Sequence, residues 1–205
     1  AAGMIHGALG SDSGGSIRIP AACCGVVGLQ TTRGLVSLTG ARGLTYSMGN
    51  VGPIASTVED ARLILDVIAG FDPEDPYSVP TPPRETWDGS PLRFGVPAEL
   101  VDQSMDPEVR AGCEGVIDRL RAAGHGVEPV SLPILLESMQ LGPQILGIVE
   151  SGSIIEESLV EIAGSDPELR QAVSRARQIS GLTTARSYHR VAILRSKLSQ
   201  TFEEV

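Results

Sequence analysis

Gly10-Ser11-Asp12-Ser13-Gly14-Gly15-Ser16-Ile17-Arg18-Ile19-Pro20 is the stretch from which the rest of the chain is read. Its first nine residues hold three glycines, three serines, one acid and one base, and an apolar run follows. Glycine lets a backbone turn sharply and lets another group approach closely. Gly14 and Gly15, immediately before Ser16, leave consecutive N–H groups uncovered by side chains. Such a loop can form an anion-binding concavity beside a hydroxyl. A serine nucleophile with an oxyanion hole needs that arrangement. A bare Gly-Gly-Ser reads equally as a structural turn, so the surrounding residues decide.

Those residues extend the pattern. Gly10 to Ala22 resembles the signature of the amidase signature enzymes, whose pattern runs G-[ST]-D-[ST]-G-G-S-I-R-x-P-A. The likeness continues at Cys24-Gly25-Val26-Val27-Gly28-Leu29, at Val51-Gly52-Pro53 and at Thr57-Val58-Glu59-Asp60-Ala61, within a block ending at Gly70. The resemblance implies a serine amide hydrolase with a Ser–cis-Ser–Lys triad. It makes Ser16 the nucleophile and the backbone N–H groups of Ser13, Gly14, Gly15 and Ser16 the oxyanion hole. The acyl chain of a small-molecule amide would pass to Ser16 and then to water. No metal and no organic cofactor is implied. The family's cis-serine and its lysine, neutral because burial disfavours the charged form, belong upstream of Ala1. The 205 residues are therefore expected to be the central part of a single amidase signature domain, truncated at both ends and inactive alone. The implied fold is α/β, a mixed, mainly parallel twisted sheet sandwiched between helices. Asp12 and Arg18 read as scaffold for the loop, and Asp60 as a helix N-terminal charge.

The same residues admit other functions. Within the family, the alternative is the glutaminase subunit of a tRNA-dependent amidotransferase. A non-catalytic relative acting as an interaction protein is a second. It draws on Gly28-Leu29-Gln30-Thr31-Thr32 where the family has G-L-K-P-T, on Ser47 to Pro53 without the family's acid, and on Ser56 where arginine is usual. A phosphate-cradling loop is a third, but the Gly-Lys-[Ser/Thr] ending and the G-x-G-x-x-G spacing are absent. The nucleophile elbow G-x-S-x-G of Ser-His-Asp hydrolases is absent too. His6, His125 and His189 are scattered and read as surface residues.

Composition narrows the setting. The net charge is −9, without clustered Lys and Arg, which argues against direct nucleic-acid binding. No apolar run is long enough to span a bilayer, and Ala1 to His6 lack the basic start of a signal peptide. The expected location is cytoplasmic, with Cys23, Cys24 and Cys113 as buried free thiols. A homo-oligomer is left open.

Along the chain, the resemblance makes residues 1–9 the end of a helix. The apolar run Cys23–Leu29 suits a buried strand, Leu35–Leu38 a short one, and residues 40–56 a Gly-rich loop. Thr57 and Asp60 resemble a capping box for a helix running to Ala69 and stopping at Gly70, with Val58, Ala61, Leu65 and Ile68 on one face. The proline-rich residues 72–91 read as surface loop. Leu92–Pro97 and Val127–Leu132 read as strands around a helix that Asp106-Pro107 starts, a crossover joining parallel strands. That helix carries Val109, Cys113, Val116, Ile117 and Leu120 as its apolar stripe. Helices follow Pro133, with loops near Gly142-Pro143 and Gly164-Ser165. Asp166-Pro167 starts one that Gly181 closes. Thr183 caps the last, whose buried side is Tyr188, Val191, Leu194, Leu198 and Phe202.

Overall fold

Six residues, Gly7–Asp12, form the first strand, β1, which delivers the chain into the Gly-Ser loop. The expectation of a helix end at residues 1–9 is therefore corrected. The computed structural model describes residues 1–41, 45–81, 86–100, 105–141, 145–158 and 167–204. Two compact units emerge, Ala1–Pro83 with Gly142–Thr184, and Arg84–Leu141 with Ala185–Val205.

In the first unit the apolar run after Ser16 is a helix, α1 (Arg18–Cys24), and only Val27–Gly28 (β2) is strand. The predicted strand from Cys23 fails because the run is not buried on two faces. Ile17 and Ala21, four apart, are buried, while Ile19 is 60% exposed and Cys23 and Cys24 face outward. That is helical spacing, and a short apolar run does not distinguish it from a strand by hydrophobicity alone. Gly25 ends α1 in the left-handed conformation, with its N–H turned back to Ala21 and Ala22. Cys113 is exposed as well, so the expected burial of all three thiols is also corrected.

The loop expected over 40–56 contains β3 (Asn50–Ala55), the middle strand of the sheet β1-β3-β2. Both ladders are antiparallel; Gly7 faces Ala55 and Asp12 faces Asn50 along β1, and Val27 faces Ala55 along β2. Pro53 disguised this strand, since proline lacks a ladder donor and is rare in central strands. Its carbonyl still accepts from the Leu29 N–H at 3.0 Å. The predicted strand Leu35–Leu38 contracts to one bridge, Val36 to Ala69.

Helix α2 (Val58–Ile68) begins where the capping residues placed it. The Thr57 hydroxyl accepts from the Asp60 N–H and donates to the Asp60 carboxylate. Ala61 is buried on it, but Val58, counted on the same face, is 72% exposed. Helices α5 (Gly147–Ser158) and α6 (Pro167–Gln178) complete the unit. The loops expected at Gly142-Pro143 and Gly164-Ser165 and the cap at Asp166 lie outside the described residues.

The second unit follows the sequence closely. β4 (Arg93–Pro97), α3 (Pro107–Ala122) and β5 (Gly126–Val130) form the crossover, and the two strands are parallel from Arg93 opposite Gly126 to Pro97 opposite Val130. Asp106 caps α3 by accepting from the Glu108 N–H, with Pro107 at the first helical position. Its apolar stripe is not buried among the described residues: Val109 is 55% and Val116 48% exposed. Helix α4 (Ile134–Leu141) is tied by Glu137 to Arg190 of α7 (Gly181–Glu204) through a two-pronged ion pair. Gly181 opens α7 instead of closing α6, and the cap is Ser180, whose hydroxyl accepts from the Thr183 N–H. Leu194 is buried as expected, whereas Tyr188 and Phe202 are exposed. The α/β class and the mixed pairing stand, with the parallel share confined to β4–β5 among the described residues. No helix among the described residues is long and apolar enough to cross a membrane.

Candidate active site

Asp12, the last residue of β1, is fully buried and organises the loop that follows. One carboxylate oxygen accepts from the Gly15 N–H at 2.7 Å and from Arg18 Nη2 at 3.0 Å. The other accepts from the Ile17 and Arg18 N–H groups at 3.2 and 3.3 Å and from Arg18 Nε at 3.0 Å. The chain from 12 to 18 thus closes around one carboxylate, and the planar guanidinium meets it two-pronged. The Arg18 side chain holds the Asp12 pKa down at about 2; burial opposes this and the three N–H donors add to it. The scaffold role expected for this pair is what the geometry shows.

Two further features fix the loop. Ile17 is 0% exposed and lies over three strand glycines. A Cβ added at Gly10, Gly28 or Gly52 would come within 3.0, 2.9 and 3.3 Å of its side chain. The sheet is bare where Ile17 seats, and the residue before it is turned outward. On the other side, the buried Thr45 donates its hydroxyl to Ser13 Oγ at 2.7 Å.

Ser16 is exposed and makes no hydrogen bond among the described residues. It opens on a cleft of about 350 Å³ within the first unit. Hydroxyls of Ser11, Ser13, Ser16, Thr45 and Ser151 line the cleft, with Met48 and Ile148 as apolar wall and Arg175 at one side. The N–H groups of Ser13, Gly14 and Ser16 find no acceptor among the described residues, but that of Gly15 is already donated to Asp12. Of the four N–H groups named from the resemblance, three are without an acceptor among the described residues. Gly15 serves the loop by its conformation instead, with φ at +118°.

Gly14 and Gly15 are therefore expected to differ under substitution. At Gly15 an added Cβ would lie 2.6 Å from Ile19 Cδ1 in a backbone region that L side chains rarely adopt. Gly15→Ala should cost about 2–3 kcal/mol of stability. At Gly14 nothing lies within 4 Å and φ is not positive, so Gly14→Ala should stay within about 0.5 kcal/mol. Urea unfolding of the two variants checks the difference.

The far wall of the cleft comes from α5 and α6, which sequence reasoning missed. No motif marks it, and it stands more than a hundred residues from Ser16. The buried Glu150 of α5 accepts from the Ser47 N–H at 2.9 Å and so ties the Thr45–Met48 segment to that helix. Where α5 crosses α6, Gly152 lets Ala176 come so close that an added Cβ would overlap the Ala176 Cβ. Gly152→Ala should therefore destabilise, by about 1–3 kcal/mol, although alanine is the better helix former. Thermal unfolding reads the sign. None of His6, His125 and His189 lines the cleft. His125 instead accepts from the Leu92 N–H and lies against Trp87 and Phe94.

A family model described as Amidase matches residues 1–201. The chain is 51% identical over 138 residues to a subunit of glutamyl-tRNA(Gln) amidotransferase from Acidobacterium capsulatum, covering 65% of this chain and 29% of that protein. It is 35% identical over 214 residues to an amidase from Pseudomonas putida, covering 100% of this chain and 44% of that protein. The crystal structure of the corresponding glutamyl-tRNA(Gln) amidotransferase subunit from Thermotoga maritima superposes with a TM-score of 0.77 at 30% identity, covering 99% of this chain and 45% of that one. The chain thus spans less than half the length of each of these relatives.

Proposed function

The chain belongs to the amidase signature family, and on that premise we propose that it forms part of a hydrolase cleaving a carboxylic amide C–N bond through an acyl intermediate on Ser16. One observation carries the reading: an exposed serine hydroxyl opens on a cleft beside the acceptor-free N–H groups of Ser13, Gly14 and Ser16, on a loop held rigid by Asp12. Ser16 Oγ attacks the amide carbon while its proton leaves. The carbonyl oxygen becomes an oxyanion, which the three N–H groups would receive. A fixed donor of this kind typically contributes ~10²–10³ in rate. The C–N bond then breaks, the amine departs with a proton, and water releases the acid from Ser16.

A serine hydroxyl needs a base to take its proton. Among the described residues lining the cleft, none is a histidine, a carboxylate or a lysine. The family resemblance supplies the base as a bridging serine and a neutral lysine from sequence outside these residues. The test treats the intact gene product with a fluorophosphonate and maps the adduct. The expected site is Ser16; an adduct elsewhere, or none, rejects the nucleophile assignment.

A second reading rests on the 51% identity to a glutamyl-tRNA(Gln) amidotransferase subunit. It assigns the same Ser16 chemistry to glutamine, with ammonia passed on within a multi-subunit enzyme. Glutaminase activity that appears only when partner proteins are added supports it, and free-standing turnover of simple amides supports the first.

A further inference from the structure

The segment Thr45–Met48 is held more firmly than a cleft wall needs. Each residue after Thr45 has its own anchor. Arg33 Nη2 donates to the Tyr46 carbonyl, the Ser47 N–H donates to Glu150 at 2.9 Å, and Asn50 Nδ2 donates to the Met48 carbonyl at 3.0 Å. Thr45 itself is 5% exposed, and a Cβ added at Gly49 would lie 2.5 Å from its carbonyl oxygen. What this clamp delivers to the Gly-Ser loop is one hydroxyl, which donates to Ser13 Oγ at 2.7 Å. The loop does not depend on that bond for its shape, because Asp12 and Ile17 already fix it. A serine hydroxyl has one proton and two lone pairs. Thr45 occupies a lone pair of Ser13, and no described residue accepts the Ser13 proton. Ser13 lines the cleft of Ser16.

We propose that the Ser13 hydroxyl is a further oxyanion donor, supplied by a side chain beside the backbone N–H groups, and that Thr45 is its positioning residue. This rests on Ser16 being the acylated residue. The N–H and O–H of Ser13 leave one residue and can close on one oxygen. The O–H stands in for the Gly15 N–H, which Asp12 claims. Accepting from Thr45 holds the Ser13 oxygen in place and polarises its O–H, since hydrogen bonds in a chain strengthen one another. A donor fixed before the charge develops needs no reorganisation when it does. Thr45 acts only through Ser13.

The experiment follows the rate at which a fluorophosphonate labels Ser16 in the intact gene product. The P=O oxygen gains negative charge as the serine attacks, before fluoride leaves, so the rate reads the oxyanion donors without a known substrate. S13A, with its unfolding midpoint unchanged, should label about 10- to 100-fold more slowly, the range for a hydrogen bond to a charged group. T45V should slow labelling by about 3- to 30-fold, the part of that bond that depends on orientation. T45S keeps the hydroxyl and should recover most of the rate. S13A/T45V should label no more slowly than S13A, because nothing is left for Thr45 to position. S13A labelled at the parent rate, a loss of rate that tracks a fallen midpoint, or a double variant slowed by the product of the single effects overturns the proposal and leaves Ser16 as the nucleophile. Should T45V not fold, the rate and midpoint of S13A decide alone. A parent that takes no label at Ser16 overturns the Ser16 reading and this proposal with it.

Discussion

Ser16→Ala is expected to lower kcat for amide hydrolysis by the intact protein on the order of 10⁵-fold, with no comparable change in KM. The side chain is exposed and makes no hydrogen bond among the described residues, so its removal leaves the loop as it is. The lock is elsewhere, in Asp12 and in Ile17 on its bed of strand glycines. Stability should therefore move by no more than about 0.5 kcal/mol. A large loss of rate in a fully folded protein separates a chemical role from a structural one. What survives is the contribution of the N–H groups and of substrate positioning, which act without the nucleophile. Turnover within tenfold of the parent, measured with the variant's folding checked by unfolding midpoint, would remove Ser16 from the chemistry.

Asp12→Ala should have the largest effect on stability, about 3–5 kcal/mol. The substitution strands the N–H groups of Gly15, Ile17 and Arg18, of which Gly15 and Ile17 belong to buried residues. Each buried donor left without an acceptor costs about 1–3 kcal/mol. Removing the other member of the pair is milder. Arg18→Ala leaves the carboxylate its three N–H donors, and the Arg18 side chain is 49% exposed, so about 1–2 kcal/mol is expected after allowance for solvent screening. The pair also sets a pH dependence. The Asp12 pKa falls from 3.8 to about 2 in the folded chain, so the folded state binds its proton less readily than the unfolded one. The stabilisation, about 1–2 kcal/mol after the same allowance, is fully present above the unfolded value and is lost as pH falls through the folded one. Urea unfolding of the parent and of Asp12→Asn across that window should show their stability difference narrowing toward low pH. A constant difference refutes the linkage.

Local signals succeeded where one interaction decides the backbone. Thr57 with Asp60 set the start of α2, and Asp106-Pro107 set the start of α3, because a cap needs only neighbours in sequence. The β4–α3–β5 crossover followed from alternating patterns of the right length. Failures came where partners distant in sequence override local preference. β3 contains Pro53 and reads as loop, yet it is paired on both edges. Cys23–Leu29 reads as one buried strand, yet its start belongs to the helix that buries Ile17 and Ala21, and only Val27–Gly28 is paired.

By itself the amino-acid sequence determined the family and the scaffold role of Asp12 and Arg18 around the Gly-Ser loop, because these depend on residues a few positions apart; that the two side chains pair was decided by the structure. Tertiary structure alone decided which of the loop's N–H groups stay open, since Asp12 claims that of Gly15. It alone brought Ser151 and Arg175 to the cleft of Ser16. Those side chains meet only because α5 and α6 cross at Gly152, and contacts between distant segments leave no periodicity to read.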